Sequence, residues 1–447
     1  MNKVTIIGAG LTGCLLAVLL GRKGYQVEIY EKRDDPRGIS EDSGRSICLT
    51  LCVRGLNILK KVRLEQEVYA LSTPVIGRCI HLSHDNVEVQ PYGNYGEALY
   101  SISRKALHDI LIDTALKLPT VAIHFKKAFT QYDLSRSTIT LNDNKAARFE
   151  LLIGADGVYS KVRHQLKSNV RLNYSQYSNK ELVIPAESAI KANLSRSHLH
   201  LWPRGEFMLL AFPKRDHSFI CTLQLPTNDH PMSFQAINTQ AKLRSLFNTL
   251  YPDVFPLIPN LEDAFFGKPE IPMVTVRCSS WHVDGKVALI GDAAHGIWPS
   301  YGQGMNAGFE DCDELVNCLL QHPNDTLQAL TAYQKLRKIN TDIIADLSEN
   351  HFNELKHHVA DSDFLIRKKI ERYANLLFPS EYFCTYSRIS FTTMPYSKAQ
   401  ALEYYDEQII NQILAHPEVR ANPDSLKAKD KIYEIIISMR QKEQSVS

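Results

Sequence analysis

Three short stretches of this chain carry residue types whose spacing could do chemistry. The first is Gly8-Ala9-Gly10-Leu11-Thr12-Gly13, set between the apolar run Val4-Thr5-Ile6-Ile7 and a helical stretch from Leu11 to Lys23. Gly8 permits a tight turn, Gly10 lets a pyrophosphate approach the backbone, and Gly13 allows close helix–strand packing. The helix N-terminus would hold the negative charge. Glu31, which ends the next strand, is placed to accept hydrogen bonds from a ribose diol. A glycine pattern alone is weak evidence, but here strand, turn, helix and acidic residue stand in the required order. The stretch predicts a dinucleotide site. The second is Gly154-Ala155-Asp156-Gly157, which follows the strand-like Leu151-Leu152-Ile153. Taken alone it is equally readable as a structural Asp-Gly turn. The third is Gly291-Asp292-Ala293-Ala294-His295, followed by a glycine-rich turn and a helix from about Met305. Backbone N–H groups at that helix start could stabilise negative charge on a ligand. For His295 alone, a structural hydrogen bond and a chemical role are both open.

The elements that position these stretches follow from periodicity. Buried strands are predicted at Val4–Gly8, Gln26–Arg33, Leu151–Gly154 and from about 286. Helices are predicted over 53–70, where Leu56, Leu59, Val62 and Val68 recur at helical spacing, and at Arg104–Leu118. Short alternating runs at 75–102 and 180–225 predict a second sheet, and residues 234–257 read as helix. After Gly304 the chain reads as mostly helical, with breaks near Pro323, Pro379, Pro395 and Pro417. The fold class is therefore α/β: a Rossmann-like nucleotide-binding domain (1–70, 103–175, 276–330), an inserted β-sheet substrate domain (71–102, 176–275) and a helical C-terminal region (331–447).

Composition limits the alternatives. The chain has 447 residues, 44% hydrophobic and 22% charged, so it can bury a continuous core and is not mainly disordered. A net charge of +2 builds no field for nucleic acid. The nine cysteines form no CxxC pair; Cys48/Cys52 and Cys312/Cys318 lack the second half of a zinc site, so no metal is predicted. They read as thiols in a reducing compartment. The apolar start of the chain is interrupted by Gly8, Gly10 and Gly13, and Ile432–Met439 is short and carries Glu434. No membrane anchor is expected, and the chain reads as cytoplasmic.

Together the three motifs resemble those of the flavin-dependent aromatic hydroxylases. Gly44-Arg45-Ser46-Ile47, Gln90-Pro91-Tyr92-Gly93, Ser101-Ile102-Ser103-Arg104, the stretch from Leu199 to Pro213 and that from Gly302 to Cys312 narrow the resemblance to the kynurenine-hydroxylating members. The resemblance covers nearly the whole chain. It implies FAD as cofactor, NADPH as co-substrate, and hydroxylation of L-kynurenine to 3-hydroxykynurenine through a flavin hydroperoxide. Dioxygen and a small aromatic amino acid would be the other partners, and no side chain would take part covalently. Around FAD it implies Gly8, Gly10, Thr12, Gly13, Tyr30, Glu31, Lys32, Arg33, Thr50, Arg104, Phe129, Asp156, Asp292, Gly304, Met305 and Asn306. Around the substrate it implies Arg78 and Tyr92 as the grip on the amino-acid carboxylate, with Tyr386, Glu354, His351 and Ser300 nearby. A guanidinium fork and a phenol suit a carboxylate.

The chain departs from the family at two of these positions. His351 stands where members carry Asn, and Ser300 where they carry Phe, which removes an aromatic ring. Two other readings stay open: a hydroxylase of a different amine- or phenol-bearing aromatic acid, or an FAD-binding protein that does not turn over.

Overall fold

A computed structural model describes residues 2–38, 48–83, 86–166, 168–357, 361–381 and 383–444. The stretch Gly44–Ile47 singled out above lies outside the described residues. The first sheet has six strands in the order His282–Val283, Val287–Leu289, Leu151–Gly154, Lys3–Ile7, Gln26–Tyr30, Val121–His124. All are parallel except His282–Val283, which pairs antiparallel at the edge. Val4, Ile6, Leu152, Ile153, Val287 and Leu289 are fully or almost fully buried, because helices cover a parallel sheet on both faces. The helix Leu11–Arg22 packs on it through an almost wholly buried run, Cys14 to Leu20.

The second sheet has seven strands in the order Ile271–Cys278, Val170–Ile184, Phe219–Pro226, Phe207–Pro213, His198–Arg204, Gly77–Ser83, Asn86–Pro91. Strands Ile271–Cys278 and Val170–Ile184 pair antiparallel with each other at one edge of this sheet. One face carries Trp202, Phe219, Phe247 and Tyr251; the other meets Trp298 and Phe352. Two small three-stranded sheets complete the β structure.

The helical third begins with Gly304–Gln321, continues through the 32-residue Thr326–His357, and ends at Leu426–Gln444. At ~1.5 Å per residue the long helix spans roughly 48 Å. It thereby runs from the first core, where Tyr333 is buried, to the second sheet, where Phe352 is buried.

Two helix expectations need correction. The span 53–70 is two helices, Val53–Lys61 and Glu65–Leu71, because Arg63 turns into the left-handed region at φ 53°. The apolar spacing carries through the break, since Val62, Leu64 and Val68 all stay on the core. Over 234–257 only Gln240–Leu250 is α-helix, with a single 3-10 turn at Phe255–Leu257.

Candidate active site

The glycine turn is built as a cradle. Gly8 has φ 105°, and a Cβ on Gly13 would lie 2.0 Å from the Gly8 carbonyl oxygen, so helix and turn touch with no room for a side chain. A Cβ on Gly10 would meet nothing within 4 Å. Gly10 is also the N-cap of helix Leu11–Arg22, with no side chain capping its first N–H groups. Open space against an uncapped helix N-terminus fits a pyrophosphate. Glu31 accepts from the Ala9 N–H (2.9 Å) and from the Arg33 N–H (3.0 Å), which fixes its carboxylate beside the turn with lone pairs to spare. His108, which sequence reasoning passed over, donates from Nε2 to the Ala9 carbonyl at 2.5 Å. Its place in the exposed-looking start of a helix gave no signal.

The remaining cofactor candidates divide. Thr12 is packed inward: its side chain is 2.9 Å from where Gly308 would carry a Cβ, joining the first helix to Gly304–Gln321. The Tyr30 ring stacks on His124 at 4.9 Å, and its carbonyl accepts from the Gly8 N–H, so the side chain faces away from the turn. Lys32 and Arg33 are exposed, and Phe129 is packed in the core. Asp156 accepts from the N–H groups of Lys161 and Val162, capping the short helix Lys161–Gln165, while its second oxygen is buried without a partner. Asp292 stands exposed in a recess whose walls nevertheless push its carboxyl pKa upward, against the pull of His295 and Arg104. Its Oδ1 is 4.0 Å from the Cβ position of Gly304, at the uncapped start of the helix that follows. Gly302, at φ 70°, comes so close to Thr50 that a Cβ would sit 2.5 Å from its Oγ1.

Asn306 holds this corner together. It donates to the carbonyls of Thr50 and Gly302 (both 2.9 Å) and accepts from the Cys52 N–H (3.2 Å). With both amide hydrogens engaged and the residue fully buried, it shapes the site. Met305 is half-buried beside it. Behind the corner runs a buried ionic network. Asp311 accepts from Gly291 N–H (3.2 Å) and Arg337 Nε (2.6 Å) and pairs with His295. Burial would raise its pKa, but His295 and Arg337 outweigh this and hold it below the usual carboxylate range. Arg54, 1% exposed, reaches Glu310 at 2.8 Å and stacks over Tyr396. Asp311 is thus the anchor of the Gly291 turn, with His295 as one of its partners and Glu310 tied to it through Arg337.

A pocket opens between the second sheet and the helical region, with about 940 Å³ of empty space including its mouth. Arg78, Tyr92, His351, Glu354 and Tyr386 line it together, although they come from four separated stretches of chain. Arg78 is 8% exposed and its guanidinium carbon lies 4.7 Å from the Tyr386 ring centre and 5.5 Å from that of Tyr92. Its Nε is buried without a hydrogen-bond partner, and among the described residues no carboxylate lies within ion-pair distance. His351 is 3.6 Å from Glu354, and its Nε2 is buried without a partner. Burial holds its pKa below the ordinary imidazole range despite Glu354. Glu354 is held at about 2: burial raises it, but His351, Lys368 and Arg78 more than offset that.

Ser300 turns away, its hydroxyl donating to the Ser348 carbonyl. The next residue, Tyr301, takes the aromatic position, with its ring 4.8 Å from His351 and 5.1 Å from Tyr386. Sequence reasoning missed it. The signal was its adjacency in the same 3-10 turn, Pro299–Tyr301, but which of two neighbours faces inward is fixed only by the turn's orientation.

Residues 1–341 match the family model described as FAD binding domain. The chain is 39% identical over 434 residues to the kynurenine 3-monooxygenase of Dictyostelium discoideum, covering 93% of this chain and 94% of the relative. It is 39% identical over 422 residues to that of Myxococcus xanthus strain DK1622, covering 92% and 90%. The chain belongs to the kynurenine 3-monooxygenase family. Among solved structures, 2-methyl-3-hydroxypyridine-5-carboxylic acid oxygenase has a similar fold, with TM-score 0.66 and 22% identity over 83% of this chain and 96% of that one. PqsL of P. aeruginosa, solved with 2-aminobenzoylacetate, gives 0.64 at 19% identity over 81% and 99%. These two establish an aromatic hydroxylase type of fold. No described helix is long and apolar enough to cross a membrane.

Proposed function

We propose that this chain is an FAD-dependent, NADPH-using monooxygenase that hydroxylates L-kynurenine to 3-hydroxykynurenine. The observation that carries the substrate is Arg78: a buried guanidinium with an unpartnered Nε in a pocket flanked by three tyrosines. A buried cation with no carboxylate in direct ion-pair contact has room for an anionic ligand. An amino-acid carboxylate supplies one, and Tyr92 and Tyr386 provide phenol groups and ring faces beside it.

FAD, once reduced by NADPH, supplies the activation of dioxygen. The chain's own contribution is placement. Gly10 and the first helix receive the pyrophosphate, and Glu31 the ribose. Asp292 and Arg104 would help hold the ribityl portion, and the helix start at Gly304-Met305 would receive the ring system. Asn306 and the Asp311–His295–Arg337 network keep that helix start fixed. On the substrate side Arg78 and Tyr92 hold the carboxylate, and Tyr301, His351 and Tyr386 wall the ring. An arylamine already activates its ortho carbon toward an electrophilic oxygen, so no covalent side-chain participant is required; exclusion of water and orientation do the rest. The reaction suits a reducing, cytoplasmic setting, to which we assign it.

The test is NADPH oxidation by the purified flavoprotein with and without L-kynurenine, with the product identified by mass. Stimulated oxidation and a product heavier by one oxygen are expected. Stimulation by another aromatic acid alone would move the substrate, and His351 would be the first residue to explain it. Flavin retention without stimulation by any aromatic acid would reduce the chain to a binding protein.

A further inference from the structure

Arg78 is not the only unsatisfied donor in the pocket wall. In the antiparallel pair of Gly77–Ser83 with Asn86–Pro91, Arg78 stands directly opposite Gln90. Directly opposed residues put their side chains on the same face of a sheet, with Cβ atoms about 5 Å apart. Both line the pocket, and the Gln90 Nε2, like the Arg78 Nε, is buried without a hydrogen-bond partner. Buried donors are normally satisfied, so two adjacent unsatisfied nitrogens on one wall mark the place of an acceptor that comes from outside the chain. Tyr92 follows Gln90 by two residues and lines the same pocket, as the period of an extended chain requires.

We propose that Gln90 is a further substrate-binding residue, donating from Nε2 to the carboxylate held by Arg78. This deepens the reading of the pocket as an amino-acid site and rests on it. A carboxylate has about four lone-pair positions and is not saturated by one guanidinium. A neutral amide next to the fork adds a hydrogen bond without adding charge. It also leaves Arg78 as the sole positive charge that the carboxylate offsets at this wall. Gln90 thereby makes the pocket select a carboxylate over an apolar or hydrogen-terminated replacement, since losing both acceptor oxygens would leave both donors unpaired.

The test is made on the FAD-loaded protein, with affinity read from the perturbation of flavin absorbance. The probes are L-kynurenine and its decarboxylated amine, kynuramine. Gln90→Leu preserves strand propensity on this edge strand and is expected to weaken L-kynurenine binding about ten-fold, as for a hydrogen bond to a charged group. Its effect on kynuramine is expected to stay within two-fold. Gln90→Glu is expected to weaken L-kynurenine more than Gln90→Leu, because it sets a negative charge beside the substrate's own, while kynuramine binding is retained. Unchanged L-kynurenine affinity in Gln90→Leu, with Arg78→Met still weakening it, would overturn the assignment of Gln90 and leave the amino-acid reading standing. Equal losses for both probes would also overturn it, by showing that Gln90 only shapes the pocket. Absence of any perturbation by L-kynurenine in the wild type would remove the underlying reading and the assignment together.

Discussion

The two ends of the site are built on opposite principles. At the nucleotide end the recognising groups are backbone N–H groups and the space left by absent side chains: Gly10 opens a volume, Gly13 closes a contact, and only Glu31 reaches out from a side chain. At the substrate end the backbone contributes little. Arg78, Gln90, His351 and Tyr386 converge from two strands and two helices. Backbone recognition depends on local geometry, so one short motif carries it. Side-chain recognition depends on where distant elements cross, so its residues are scattered and each is individually unremarkable.

The largest expected effect tests the nucleotide end within a single turn. Gly10→Val places its side chain in open space, so the protein should fold normally and purify without FAD. Gly13→Val would drive a side chain into the Gly8 carbonyl, 2.0 Å from the Cβ position, and should fail to give folded protein at all. Flavin absorbance and thermal melting of the two variants separate the roles. A Gly10→Val protein with a full yellow spectrum would break the comparison, because the cradle would then lie elsewhere.

At the substrate end, the expected loss is smaller and cleaner. Arg78→Met removes one member of a buried charge pair that forms only when substrate binds, a change that typically costs ~2–5 kcal/mol. The dissociation constant of L-kynurenine should rise roughly 30-fold or more, with FAD content unchanged. Arg78→Lys should recover part of this, because a point charge does not reproduce the guanidinium fork. If Arg78→Met binds as wild type does, the carboxylate is held by other groups, His351 first among them.

The same contrast accounts for how much could be read from sequence. The glycine turn, its strand, its helix and Glu31 were legible because four local requirements coincide within about thirty residues. The two sheets and the helical third followed from periodicity alone. Arg78 by itself is one arginine among many, and only resemblance to a family singled it out. What escaped is what depends on orientation. Nothing of the glycine or proline kind marks the break at Arg63, which apolar spacing bridges. Ser300 and Tyr301 are neighbours on one turn, and only the fold decides that the first bonds to Ser348 while the second packs its ring against His351 and Tyr386. That the Asn306 amide ties together Thr50, Gly302 and Cys52 is likewise invisible in the sequence, because those partners are brought to it by the fold.

Strand Gly77–Ser83, which carries Arg78, also carries His81, and here the comparison extends to stability. His81 Nε2 lies 2.8 Å from His200 Nδ1, and His200 Nε2 donates to the Ser195 carbonyl at 3.0 Å. Burial lowers the pKa values to about 4 and about 3, with Arg204 adding to the effect on His81 and neighbouring histidines to that on His200. Both are neutral in the folded protein and ordinary in the unfolded chain. The unfolded state therefore binds more protons below pH ~6.5, and stability falls as the pH drops through that value toward 4. By pH 5.5 the loss should be roughly 1 kcal/mol for each histidine. Thermal melts from pH 7.5 to 5 should show this decline, and His81→Phe should flatten it. An unaltered slope in that variant would place the acid sensitivity elsewhere, with His198 and His351, whose pKa values burial also lowers, next in line.

The smallest effect concerns Tyr92, where a side chain offers two things at once. Its ring faces Arg78 and stacks near Tyr386 at 5.9 Å, while its hydroxyl is a neutral donor at the edge of the carboxylate position. Tyr92→Phe keeps the ring and removes one donor, which should cost ~1 kcal/mol, or about five-fold in L-kynurenine affinity. Tyr92→Leu also removes the ring face from the guanidinium and should cost more, by about the ~0.5–2 kcal/mol of a desolvated cation–π contact. Flavin absorbance titrations with both variants measure the two steps separately. If Phe binds as tightly as Tyr while Leu does not, Tyr92 acts by orienting Arg78 and does not touch the carboxylate. The carboxylate would then be left to Arg78 and Gln90, with Tyr92 contributing only its ring face to the guanidinium.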